Sequence, residues 1–263
     1  MGLDRRSVLK GAAGVAAGVV ATGCGDGGDK SPEAGGAPTA GSAPAPSSAA
    51  PSASAAAPVR LPAEVGRAAT GRAEVALTFH GQGEPAQIER LLGAAERGGA
   101  KVTVLAVGAW LGQHPAMARR VLDGGHELGN HSENHLDMPA MGEAEVYREI
   151  EGCATRLSAL TGSIGRWFRP SQTQYANDVI KAQAARAGYP TVLSYSLDSL
   201  DHTDPGAAAV TRNVLDHVRA GDVVSLHCGH EGTIAALPEI LAGLRAQGLR
   251  PVTASGLFAP TGA

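Results

Sequence analysis

The apolar positions of this chain follow two alternating periods, and the alternation starts at residue 74. Residues 74–79 (E-V-A-L-T-F) form a run of strand length, and Ile88, Leu91, Leu92 and Ala95 follow at helical spacing until Gly98-Gly99. A second apolar strand is predicted at 102–107, then a helix opened by Pro115, then a short strand reaching His131. Val146, Ile150, Cys153, Leu157 and Leu160 make one helical stripe. Further strands are predicted at 166–169, 191–197, 222–227 and 250–253. About seven strand–helix units in succession predict an α/β fold with a parallel sheet, open or closed into a barrel. Polar and ionisable residues collect just after the strands, at 80, 131, 169, 198–202 and 227, the edge at which such sheets bind ligands.

The first sixty residues lack either period. Arg5-Arg6 precedes an apolar run over 11–21 that is too short to span a bilayer and suits a signal-peptide core. The run ends A-T-G-C, so residues 1–24 read as a twin-arginine, lipoprotein-type signal with Cys24 as the lipid attachment site. Residues 25–60 are Ala, Pro, Ser and Gly with little to bury, a composition expected to form a disordered tether. The folded domain is assigned to 61–263. These segments predict an exported protein held to the cell membrane by its lipid alone and facing outside the cytoplasm. A balance of 22 Lys and Arg against 25 Asp and Glu, net −3, provides no basic field for nucleic acid. Three cysteines are too few for a disulfide scaffold, and Cys153 and Cys228 read as two thiols.

The chemistry centres on His131-Ser132-Glu133-Asn134-His135. Two His four apart converge on one metal ion if the segment is helical or tightly turned. Ser132 stands where a metalloprotease helix would carry Glu, which argues against that class. The surrounding G-H-E-L-G-N-H-S-E-N-H resembles the metal-binding motif of the polysaccharide deacetylases (carbohydrate esterase family 4, the NodB homology domain). L-T-F-H-G-Q at 77–82, F-R-P-S at 168–171, D-S-L-D-H at 198–202 and G-D-V-V-S-L-H at 221–227 resemble four more of its motifs, in order.

The resemblance implies a single-domain, irregular parallel (β/α)7-type barrel. It also implies a divalent metal, zinc, and removal of N-acetyl groups from a cell-wall or chitin-like glycan of N-acetylglucosamine. Carried over, His131 and His135 are metal ligands, His227 the general acid, Asp201 its orienting partner, and Arg169 the residue that steadies the base. The first motif departs: His80 stands for the family's base Asp and Gly81 for its ligand Asp. Two roles therefore remain open for His80, third metal ligand or base, with Glu84 as a substitute ligand in the second case. A non-catalytic glycan-binding or envelope-scaffold protein on the same barrel is the competing expectation. His126 reads as structural, His230 as a loop residue after the acid, and Asp204-Pro205-Gly206 as a turn.

Overall fold

The computed structural model describes residues 60–69 and 71–260. The signal peptide, Cys24 and the tether up to residue 59 lie outside the described residues. Among the described residues no helix is long and apolar enough to cross a membrane.

The described residues form eight strands and eight α-helices, largely in strand–helix succession. The strands are β1 (Glu64–Val65), β2 (Glu74–Gly81), β3 (Thr103–Ala106), β4 (Glu127–Asn130), β5 (Val192–Leu193), β6 (Leu197–Asp198), β7 (Val223–His227) and β8 (Arg250–Val252). The helices are α1 (Pro85–Arg97), α2 (Gly108–Gln113), α3 (Ala116–Asp123), α4 (Glu143–Thr161), α5 (Asp178–Arg186), α6 (Ala207–Leu215), α7 (Glu231–Ala246) and α8 (Ala254–Leu257). A parallel ladder runs β4-β3-β2-β7-β6, with β8 against the first half of β2 and β1 beside β5. Single bridges continue the ring: Asn130 to Phe168, Phe168 to Val192, and Arg67 to Asp222. The fold is therefore the expected parallel α/β arrangement, and hydrogen bonds alone do not close the barrel.

Two expected strands shrink. The segment 166–169 keeps only the bridge at Phe168, since Pro170 brings no N–H to extend it. The segment 191–197 splits into β5 and β6. Between them the Ser194 amide turns to Val65 O and the Ser196 amide to Val223 O, two different neighbours. The helical stripe of α4 is buried at Val146, Ile150, Cys153 and Leu157, and α4 stops at Gly162, whose φ of 83° a side chain would strain.

Strand period two sorts β2 into faces. Val75, Leu77 and Phe79 join the outer core with Leu91 and Leu92 of α1 and Leu237 and Ile240 of α7. Ala76 faces inward and packs with Leu105, Trp167, Leu193 and Val223 in a second apolar cluster. Thr78 and then His80 continue that inward row, so polarity rises toward the carboxyl edge. Register places His80 opposite His227, one strand away.

Candidate active site

His131 follows β4, and the turn after it is held left-handed at two non-glycine residues, Ser132 (φ 65°) and His135 (φ 57°). Such residues persist where surrounding contacts over-determine them, and here the contacts are many. The buried Glu149 of α4 accepts from the Asn134 amide (2.8 Å) and from its side chain (2.7 Å), bonds to a charged acceptor worth about 1.5–3 kcal/mol each. Arg156 pairs with Glu133 at 2.5 Å, and the Gln172 side chain donates to His135 O at 3.0 Å. The bracing turns the two imidazoles onto one spot. The ring centroids of His131 and His135 lie 4.9 Å apart, and those of His80 and His131 4.4 Å. One ligand nitrogen from each of His80, His131 and His135 falls within 4.8 Å of the others.

The fit of this group to a metal ion rests on one atom. His131 Nδ1 donates to Arg169 O at 2.9 Å, which leaves Nε2 as a lone pair, and that buried nitrogen has no hydrogen-bond partner among the described residues. An orphaned imidazole nitrogen whose other nitrogen is fixed by a carbonyl is how a metal-ligating His is arranged. Burial, followed by the neighbouring His135, holds His131 well below the ordinary imidazole range. His80 is likewise held down, by burial first and then by His131 and Arg169, and His135 by burial and then His227. Neutral imidazole is the form that binds metal.

Arg169 is wholly buried, and among the described residues no carboxylate forms an ion pair with it. Its Nε donates to Leu193 O (2.9 Å), its Nη2 to Thr78 Oγ1 (2.9 Å) and Ser194 O (3.1 Å), and its Nη1 meets His80 Nε2 at 3.2 Å. Burial pulls the guanidinium down to about 9. Because a guanidinium nitrogen only donates, His80 Nε2 is the acceptor, and the neutral ring carries its proton on Nδ1. Ser225 Oγ, 3.1 Å from the same Nε2, suits either tautomer. The ligand and base roles for His80 both need a free Nδ1 lone pair, hence the other tautomer, with Nε2–H on Ser225. His131 and His135 carry no such conflict.

Asp201 and His227 form a tight pair. His227 Nδ1 and Asp201 Oδ1 are 2.7 Å apart, and Oδ2 accepts from the His227 amide (2.7 Å) and Thr233 Oγ1 (2.6 Å). Burial raises the Asp201 carboxyl, but these hydrogen bonds outweigh it and the net shift is downward. With both oxygens engaged, Asp201 orients the imidazole, although Asp201, His202 and His227 also lie close enough to share an ion. The His227 ring sits 4.3 Å from His80.

A cavity of about 510 Å³ opens over this end, walled by His80 and His227 on one side and Trp110, Gln113 and His114 on another. Glu84 lines it without joining the three-His group. Cys153 and Cys228 are free and buried, and burial pushes the Cys153 thiol up to about 12. His126 is buried and accepts from the Val102 amide at 3.2 Å, a structural contact. The sequence reading missed Thr78, Glu149, Ser171, Ser225 and Thr233. Thr78 and Ser225, two positions before His80 and His227 on the same strand faces, carried a signal in the chain.

The polysaccharide deacetylase family model matches residues 67–192. A peptidoglycan-N-acetylglucosamine deacetylase of Bacillus cereus is 32% identical over 196 residues, covering 70% of this chain and 87% of its own length. A crystal structure of a peptidoglycan N-acetylglucosamine deacetylase superposes with a TM-score of 0.69 at 26% identity, over 74% of this chain and 92% of that one. A pseudoenzyme of the same family from Bacillus anthracis has a TM-score of 0.71 at 22% identity, over 76% and 70%, a likeness of fold.

Proposed function

Since the chain belongs to the polysaccharide deacetylase family, we propose that it is a metal-dependent hydrolase that removes N-acetyl groups from an N-acetylglucosamine-containing glycan, peptidoglycan or chitin-like. The observation that carries this reading is the partnerless Nε2 of buried His131, aimed at His135 and His80. His131 and His135 would hold a divalent ion, and an all-imidazole set suits zinc. Bound there, the ion supplies Lewis acidity toward an acyl oxygen. Water adds to the acyl carbon and gives one proton to Nδ1 of His80 in its Nε2–H tautomer, while His227, oriented by Asp201, gives a proton to the leaving nitrogen. The C–N bond breaks, acetic acid and the amine leave, and His80 returns its proton to solvent as His227 regains one. Arg169 meets the His80 ring beside His227, and Ala76, Leu105 and Val223 pack in an apolar cluster inside the sheet.

The test is acetate release from N-acetylglucosamine oligomers. The purified chain should contain near-stoichiometric zinc, turn over, stop with chelator and recover with added zinc. A metal-free, inactive protein that still binds the oligomer would sink the hydrolase and leave the glycan-binding module. That second reading draws on the missing carboxylates at positions 80 and 81 and on the grip of Arg169 on His80.

The address at the amino end supports export and a lipid anchor at Cys24. Cys24→Ser is expected to move the protein from the membrane fraction into the soluble one. Sedimentation with membranes despite that change would refute the anchor.

A further inference from the structure

Loop residues beyond the catalytic pair repeat its pattern. Asp201 pairs with His227, and three positions on, Asp204 Oδ1 meets His230 Nδ1 at the same 2.7 Å. The two rings lie 5.6 Å apart and both line the cavity. Asp201 is fully enclosed, whereas the Asp204 side chain is 71% exposed and lies outside the lining of the cavity. His230 stands at the N-cap of α7, yet its side chain makes no capping bond there. Asp204 closes the turn Asp201–Thr203 in a left-handed conformation (φ 51°) that aims it at His230. Neither residue is engaged by the proton chemistry at His227.

We propose that Asp204 and His230 form a saccharide subsite, which hydrogen-bonds hydroxyls of the sugar next to the one bearing the reacting acetamide. This rests on the glycan reading above. Asp204 fixes the His230 proton on Nδ1, so Nε2 in the neutral ring is left as an acceptor on a residue that lines the cavity, and Oδ2 of Asp204 is a second acceptor not engaged by the ring. Two acceptors on paired side chains suit hydroxyl donors of a saccharide. A cavity of about 510 Å³ falls in the range that drug-sized ligands fill, more than one acetamide needs. The acetamide belongs at the imidazole end, which leaves the His230 side for a neighbouring ring.

Binding separates this proposal from catalysis, because it is measured without turnover. Calorimetric titration of the metal-free full chain with the N-acetylglucosamine trimer and with the monomer reads it directly. His230→Ala and Asp204→Ala should each weaken the trimer about three- to tenfold, the loss of one net hydrogen bond, and leave the monomer unchanged. His230→Gln, which keeps an acceptor, should recover most of the affinity. Unchanged trimer binding in both alanine variants, equal weakening of trimer and monomer, or no trimer binding by the wild-type chain would each overturn the subsite. Failure of acetate release with trimer binding intact would instead count against the hydrolase alone.

Discussion

His227→Ala should lower kcat for acetate release by about 10²- to 10⁴-fold, the range set by a positioned general acid, and leave the zinc content of the protein unchanged. The ring belongs to the strand edge of β7, beside His80 in register, and its Nδ1 is committed to Asp201. Only Nε2 is left to face the cavity. Removing it takes away the proton source without touching His131 or His135. The vacated Asp201 still accepts from Thr233 and the backbone amide of residue 227, so its charge is not stranded. KM should move little, since the lost interaction belongs to the transition state. Turnover within a few-fold of wild type, or loss of the metal together with the ring, would show that His227 does not serve as the acid.

Much of this was legible in the chain because two periods report two surroundings. The row Ile88, Leu91, Leu92 and Ala95 is buried as the helical spacing required, and the polar residues predicted after strands do meet at one edge. What escaped depends on contacts between distant segments. Residues 166–169 and 191–197 have strand composition, yet their hydrogen bonds are shared among different neighbours, a matter of ring closure that no local pattern encodes. The four-residue spacing of His131 and His135 left helix or tight turn open. The turn won because Ser132, Glu133 and Asn134 find partners on α4 and at Ser171. The nearness of Arg169 to His80 followed from the motif resemblance. Which imidazole nitrogen the guanidinium holds did not, because a tautomer is fixed only by facing groups. Asp204 read as turn chemistry, and it is in a turn. Its second contact, to His230, lies 26 residues away and has no local signature.

Gly81→Asp, the change that would bring the family's ligand carboxylate back, is expected to destabilise the domain by more than about 3 kcal/mol in denaturant unfolding and to add no metal affinity. Position 81 falls in the outward row of β2 with Val75, Leu77 and Phe79. A Cβ there would stand 2.7 Å from Val104 Cγ1, 3.0 Å from Ala106 Cα and 3.1 Å from Leu105 O. Two of these neighbours are backbone of β3, which is itself laddered to β4 and cannot retreat alone. Overpacking of this kind costs about 1–3 kcal/mol. A carboxylate directed toward an apolar layer adds a desolvation cost of several kcal/mol unless it is paired or protonated. Gly81→Ala isolates the steric part and should account for about 1–3 kcal/mol of the loss. His80→Asp is the contrasting case, since the inward row delivers its carboxylate beside the unpaired Arg169 and no comparable clash is expected. A Gly81→Asp protein as stable as wild type and binding zinc more tightly would mean that β2 yields at its end, and that the missing carboxylate alone separates this site from a three-ligand centre of the family pattern.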